Sequence, residues 1–68
     1  MNVSLNGAPA QLPDDATVRT ALDALELPAG GRGVAVAVDA AVVPRAEWAT
    51  HPLDEGARVE IVRAIQGG

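Results

Sequence analysis

The chain ends in Gly67-Gly68, and the α-carboxyl group that follows them is the most useful reactive group in the sequence. An α-carboxyl group is ionised at neutral pH, so it is an anion that can attack an electrophile such as phosphorus. Glycine has no Cβ, and two glycines can therefore pass through a channel that any side chain would block. The sequence predicts chemistry at the carboxyl group of Gly68.

The rest of the sequence offers few groups that could catalyse a reaction or bind a metal. There is no cysteine, and the one histidine, His51, cannot form a metal site by itself. The acidic pairs at 14–15 and 54–55 fall in a predicted helix start and a predicted turn, with no residues around them that suit acid–base catalysis. We therefore expect no catalytic residues, no metal and no bound cofactor, and we expect the protein not to be an enzyme.

Length and composition indicate one small folded domain. The chain has 68 residues, of which 49% are hydrophobic, and a net charge of −4. An acidic chain without a basic patch is a poor candidate for binding nucleic acid. No apolar run approaches the ~20 residues of a membrane span, and the N-terminus lacks the pattern of a signal peptide, so we expect a cytoplasmic protein that does not bind membranes.

The first third of the chain predicts a hairpin followed by a helix. Residues 2–6 alternate polar and apolar side chains, Asn6-Gly7 is a strong turn signal, and Pro9 places the returning strand 8–12 at a sheet edge. Thr17 is the best N-cap, and we expect the helix to end at Pro28. Helical spacing predicts one apolar stripe made of Val18, Ala21, Leu22 and Leu25.

The second half predicts three further strands and one irregular segment. The strands are expected at 34–38, 41–43 and 58–62, with a turn at Asp39-Ala40 and with Trp48 anchoring an irregular segment at 45–53. The order β-β-α-β-β-β is typical of an α+β, β-grasp (ubiquitin-like) fold. We expect a mixed sheet of four to five strands with one main helix on one face. The predicted domain is 1–63, and residues 64–68 form a flexible tail.

This order, together with several local motifs, resembles the ubiquitin-like sulfur carriers, and among them the ThiS family of thiamine (thiazole) biosynthesis. The resemblance covers the whole chain. Val43-Pro44-Arg45 with Trp48 three residues later, followed by the terminal Gly67-Gly68, is its most specific part. The other matching segments are Asn6-Gly7, Thr17-Val18, 33–38 and 59–66.

The resemblance implies a function as a protein co-substrate. In this family an E1-like adenylyltransferase uses ATP to adenylate the carboxylate that corresponds to Gly68. A protein that donates persulfide sulfur then supplies the sulfur, which leaves a C-terminal thiocarboxylate. Thiazole synthase takes up that sulfur. The expected partners are therefore the adenylyltransferase, the sulfur donor and thiazole synthase.

Two groups of residues are predicted to contact these partners. An extended tail from residue 64 reaches roughly 17 Å, enough to enter a buried active site. The tail residues required for that entry are Gly67, Gln66 and Ile65. Strand alternation places small or apolar residues on the sheet face away from the helix, and such patches often bind partners. The candidate partner face consists of Ala35, Ala37, Glu60, Val62 and Ala64.

Two other functions share the same fold and C-terminus. The chain could be a sulfur carrier like the small subunit of molybdopterin synthase, although those tails contain proline and 63–66 here does not. It could also be a ubiquitin-like modifier joined to lysines through Gly68. Co-purifying partners would separate the two carriers, and conjugate ladders that depend on Gly68 would indicate the modifier.

Overall fold

The computed structural model describes residues 1–27 and 33–63 of the chain. The predicted tail, residues 64–68, lies outside the described residues, so its separation from a 1–63 domain stays a prediction. Within the described ranges, no helix is long and apolar enough to cross a membrane.

The described residues form a mixed sheet with one α-helix. Five strands and two helices follow one another as β1 (Asn2–Leu5), β2 (Ala8–Gln11), α1 (Val18–Ala24), β3 (Val34–Val38), β4 (Ala41–Val42), a 3-10 helix (Arg45–Glu47) and β5 (Arg58–Arg63). The spatial order of the strands is β2-β1-β5-β3-β4. Strand β5 runs parallel to β1, and the other neighbours are antiparallel. The predicted α+β, β-grasp architecture is confirmed.

The first hairpin forms as the sequence predicts. Asn6 and Gly7 have φ of 51° and 84°, and a two-residue turn with both φ values positive matches the twist of the two strands it joins. The turn sets Leu5 opposite Ala8 and Ser4 opposite Pro9. Strand β2 lies at the sheet edge, where a proline costs no interstrand hydrogen bond.

Helix α1 starts where predicted. Thr17 is its N-cap with extended backbone angles, and its N–H donates to Oγ1 of Thr20 at 3.0 Å. Val18, Ala21 and Leu22 are buried against the sheet and form the core-facing stripe.

The helix ends earlier than predicted. Its last residue is Ala24, and Glu26 adopts φ of 55° in the left-handed region. The N–H of Glu26 donates to Asp23 O at 3.0 Å, and the N–H of Leu27 donates to Leu22 O at 3.4 Å. These two bonds form a Schellman motif, which satisfies the last carbonyl groups. Pro28 is thus not what stops the helix, and Leu25, predicted to join the stripe, is 38% exposed.

Trp48 is the central side chain of the core, as predicted. It is 1% exposed, and its indole N–H donates to Val43 O at 2.9 Å. Its backbone carbonyl accepts from the N–H of Arg19 at 3.0 Å, which joins this segment to the start of α1. The segment 45–53 is more regular than predicted, because it begins with the 3-10 helix.

The hairpin between β3 and β4 turns at Asp39 and Ala40, as predicted, with φ of 48° and 72°. Strand β4 ends at Val42 instead of Val43, whose side chain is buried and whose N–H donates to Val36 O at 2.9 Å. Strand β5 extends one residue further than predicted, to Arg63.

Replacing Ala40 by glycine should stabilise the fold. A residue with a Cβ is disfavoured at φ of 72°, and Ala40→Gly removes that cost, so we expect unfolding free energy to rise by about 0.5–1 kcal/mol. Chemical denaturation followed by Trp48 fluorescence measures the change. The control is Ala41→Gly in β4, which should lower stability because Ala41 is in extended conformation. Equal losses in the two variants would contradict this account of the turn.

Candidate functional site

Strand β5 connects the core of the domain to the predicted reactive end of the chain. It lies between β1 and β3, and its side chains Val59 and Ile61 are buried. Its last residue, Arg63, directly precedes the 64–68 segment. The predicted site residues Ile65, Gln66, Gly67 and Gly68 lie outside the described residues, so their roles stay predictions.

The side chain of Asn6 extends the pairing of β5 beyond the end of β1. The parallel ladder pairs Leu5 with Val59, and the N–H of Asn6 donates to Val59 O at 2.9 Å. The chain then turns into the hairpin, and Oδ1 of Asn6 accepts the N–H of Ile61 at 2.7 Å. The amide side chain thereby takes the place of a backbone carbonyl and fixes the strand that leads to the tail.

The sheet face away from α1, here called the outer face, brings together four of the five residues predicted for partner binding. In the β3–β5 pairing, Ala35 lies opposite Val62, and Ala37 lies opposite Glu60. All four belong to the alternate positions whose neighbours Val36 and Ile61 are buried in the core. Ala64, the fifth predicted residue, lies outside the described residues.

Val42 also belongs to this face, and the sequence prediction missed it. It lies opposite Ala37 and is 78% exposed, while Val62 is 64% exposed. The sequence did contain a signal for Val42, because a two-residue turn at Asp39-Ala40 sets the strand register that puts Val42 beside Ala37. We call the four residues Ala35, Ala37, Val42 and Val62 the apolar strip.

Glu60 lies where the apolar strip meets a polar depression. A shallow groove of about 190 Å³ runs over the apolar strip and is bordered by Glu60. A second depression, of about 430 Å³, is lined by Ser4, Asn6, Gly7, Arg58 and Glu60. Both are open to solvent, which suits contact with another protein better than enclosure of a small substrate.

The acidic side chains and the histidine of the described residues are spread over the surface. Across 1–27 and 33–63, no three histidine or acidic side chains lie close enough together to bind a metal ion. The core of these ranges contains no buried charged side chain.

Removing the side chain of Asn6 should loosen β5. Asn6→Gly keeps the positive φ of the turn but leaves the N–H of Ile61 without its acceptor, which should cost about 1–2 kcal/mol of unfolding free energy. Amide hydrogen exchange should show faster exchange at Ile61. The control Asn6→Asp retains an acceptor oxygen and a residue that tolerates positive φ, so its loss should be smaller. Unchanged exchange at Ile61 in Asn6→Gly would disprove this role.

Comparisons with known proteins agree with this fold. The model of the ThiS family matches residues 3–68. The crystal structure of thiamine biosynthesis protein ThiS from Geobacter metallireducens is similar, with a TM-score of 0.80, 27% identity and full coverage of both chains. An NMR structure of a thiamine biosynthesis protein from that organism gives a TM-score of 0.79 and 26% identity, and the match covers all of this chain and 88% of the other. No curated protein matches the chain. The chain therefore belongs to the ThiS family of sulfur carriers, as its motifs predicted.

Proposed function

We propose that this chain carries sulfur for thiazole formation in thiamine biosynthesis, as a thiocarboxylate on Gly68. The observation that carries the proposal is the extent of the family match, which runs through residue 68 and so includes Gly67-Gly68. The absence of cysteine from the sequence agrees with a carrier that holds sulfur on a carboxyl group and has no thiol. The family match favours this function over the molybdopterin-type carrier and the protein modifier.

The first step must activate the carboxylate, because resonance and negative charge make it a poor electrophile. In the proposed reaction, an oxygen of the Gly68 carboxylate attacks the α-phosphorus of ATP in the active site of an E1-like adenylyltransferase. The bond between the α- and β-phosphates breaks and pyrophosphate leaves. The product is an acyl-adenylate on Gly68, and we place this reaction in the cytoplasm, where ATP is available.

The second step replaces AMP by sulfur. The terminal sulfur of a protein persulfide attacks the acyl carbon of Gly68 and AMP leaves, which forms an acyl disulfide. A thiol then reduces that disulfide and releases the thiocarboxylate. Thiazole synthase transfers the sulfur to its substrate, and an oxygen atom from that substrate or from water replaces it on the acyl carbon. The carboxylate is thereby restored and the chain can be used again. Its residues supply no catalyst in this cycle and act as a protein co-substrate.

The outer face is the surface that we expect to bind the activating enzyme. Val42 and Val62 are the most exposed large apolar side chains of the described residues, and alanines beside them leave room for a partner's side chains. Val62 lies two residues before the 64–68 segment. A partner bound to the apolar strip would therefore hold the chain close to the point where the tail begins.

Activation at Gly68 can be measured directly. Incubation with an E1-like adenylyltransferase, ATP, a persulfide donor and a thiol should raise the intact mass by the replacement of one oxygen by sulfur. Deleting Gly68 should abolish the gain. Gly67→Ala should slow it by about 100-fold, because a methyl group displaces the carboxylate in a narrow channel.

The control for both variants is the urea unfolding curve, which should match that of the wild type because neither variant changes a side chain of the described core. The rate of pyrophosphate release should be highest for the wild type, lower for Gly67→Ala and absent after deletion of Gly68, as for the mass gain. An unchanged mass of the wild type with adenylyltransferases of both the thiamine and the molybdopterin routes would contradict the proposal.

Binding through the apolar strip predicts a selective effect of Val62. Val62→Ser should raise the KM of the adenylyltransferase for the chain by about tenfold, because burial of an apolar side chain contributes about 1.5 kcal/mol, and kcat should stay unchanged. The matched control is Leu25→Ser, which removes an exposed apolar side chain at the end of α1. Equal KM values for both variants and the wild type would show that the enzyme does not bind this strip.

A further inference from the structure

Glu60 is the one charged residue among the described residues that border the apolar strip. It lies opposite Ala37, and Val62 follows two positions later on the same face of β5. Its side chain is exposed and, among the described residues, takes part in no salt bridge and no hydrogen bond.

A partner that covers the apolar strip must also cover Glu60. The groove over the strip is bordered by the Glu60 side chain, so a protein surface packed there removes water from the carboxylate. A carboxylate that loses its water without gaining a cation strongly opposes binding. A partner adapted to this face therefore has to offer hydrogen-bond donors at that position, and a cationic donor compensates a carboxylate most strongly.

Arg58 is the nearby cation on the same face, and its position favours an external partner for Glu60. Arg58 lies opposite Ser4 in the polar depression, two residues before Glu60 and so about 6.6 Å away along the strand. The two side chains form no salt bridge. The net charge of −4 also favours approach by a basic surface.

We propose that Glu60 selects the activating enzyme, by pairing with an arginine or lysine that lies within an apolar contact surface of the adenylyltransferase. This inference rests on the proposed function, because the occupant of the face is the enzyme that adenylates Gly68. The apolar strip supplies contact area, and Glu60 sets the register of the two surfaces. Apolar surfaces without the matching cation are rejected, since they would leave the carboxylate unpaired.

The test compares Glu60→Gln and Glu60→Arg with Glu47→Gln in steady-state adenylation of the chain by the adenylyltransferase of the same organism. Glu60→Gln keeps the shape and removes the charge, so KM should rise about 10- to 30-fold with kcat unchanged. Glu60→Arg should raise KM further, because the new arginine would repel the arginine or lysine of the enzyme that is proposed to pair with Glu60. Glu47→Gln makes the same charge change in the exposed 3-10 helix, outside the outer face, and should alter KM by less than about twofold.

A second comparison tests whether Arg58 itself neutralises Glu60 in the complex. If the enzyme supplies the cation, Arg58→Gln should affect KM much less than Glu60→Gln. If Arg58 supplies it, Arg58→Gln should raise KM as much as Glu60→Gln, and the double variant should be no worse than either. That second pattern would overturn the proposal.

Two controls separate the possible failures. The fluorescence of the buried Trp48 reports whether each variant is folded under assay conditions, and this distinguishes a folding defect from a binding defect. If the wild type and Glu47→Gln are adenylated and Glu60→Gln shows the same KM as they do, Glu60 does not select the enzyme. The proposed function would still stand in that case. If the wild type is not adenylated at all, both are wrong.

Discussion

The rest of the structure depends on the parallel pairing of β1 with β5. This pairing joins the first hairpin to the last strand and places β5 in the middle of the sheet, where β5 also pairs with β3. The ladder itself is short, with Ser4 opposite Arg58 and Leu5 opposite Val59. Asn6 lengthens it through its side chain, which accepts the N–H of Ile61. Asn6, a turn residue of the first hairpin, thus also holds the strand that leads to the proposed reactive residue, Gly68.

One helix can cover only one face of a five-stranded sheet, and this limit explains the surface that remains. The face opposite the outer face is covered by α1 and by Trp48. The hydrogen bond from the indole N–H of Trp48 to Val43 O fixes the long connection between β4 and β5. The outer face carries small side chains, two exposed valines and few charges. Under the proposed function the chain passes between enzymes and needs a surface that binds and releases them, and an open, shallow face meets this need better than a deep pocket.

Much of the fold could be predicted from local signals. Asn6-Gly7 marked a two-residue turn and Thr17 marked the start of the helix, because these residue types favour the conformations found there. The turn at Asp39-Ala40 was placed by the apolar strands on either side of it, since alanine is disfavoured at φ of 72°. The end of the helix was missed, since a glutamate in the left-handed region at position 26 gives no signal in the sequence. The exposure of Leu25 follows from that early end.

Some residues of the candidate site could also be predicted from local signals, and others could not. Strand alternation was enough to place Ala35, Ala37, Glu60 and Val62 on one face, and the described register puts them side by side. Val42 needed the hairpin register as well, which no single strand supplies. The proposed chemistry at Gly68 came from the Gly67-Gly68 motif and its resemblance to sulfur carriers, because composition and spacing by themselves assign no reaction to it.

The measurement that tests the central claim most directly is top-down fragmentation of the full chain, expressed with its own activating enzyme and sulfur donor. We expect one sulfur in place of oxygen, found only in fragments that contain Gly68 and lost after incubation with thiazole synthase and its substrates. Sulfur located on any other residue, or a chain that never acquires sulfur while its activating enzyme is active, would contradict it.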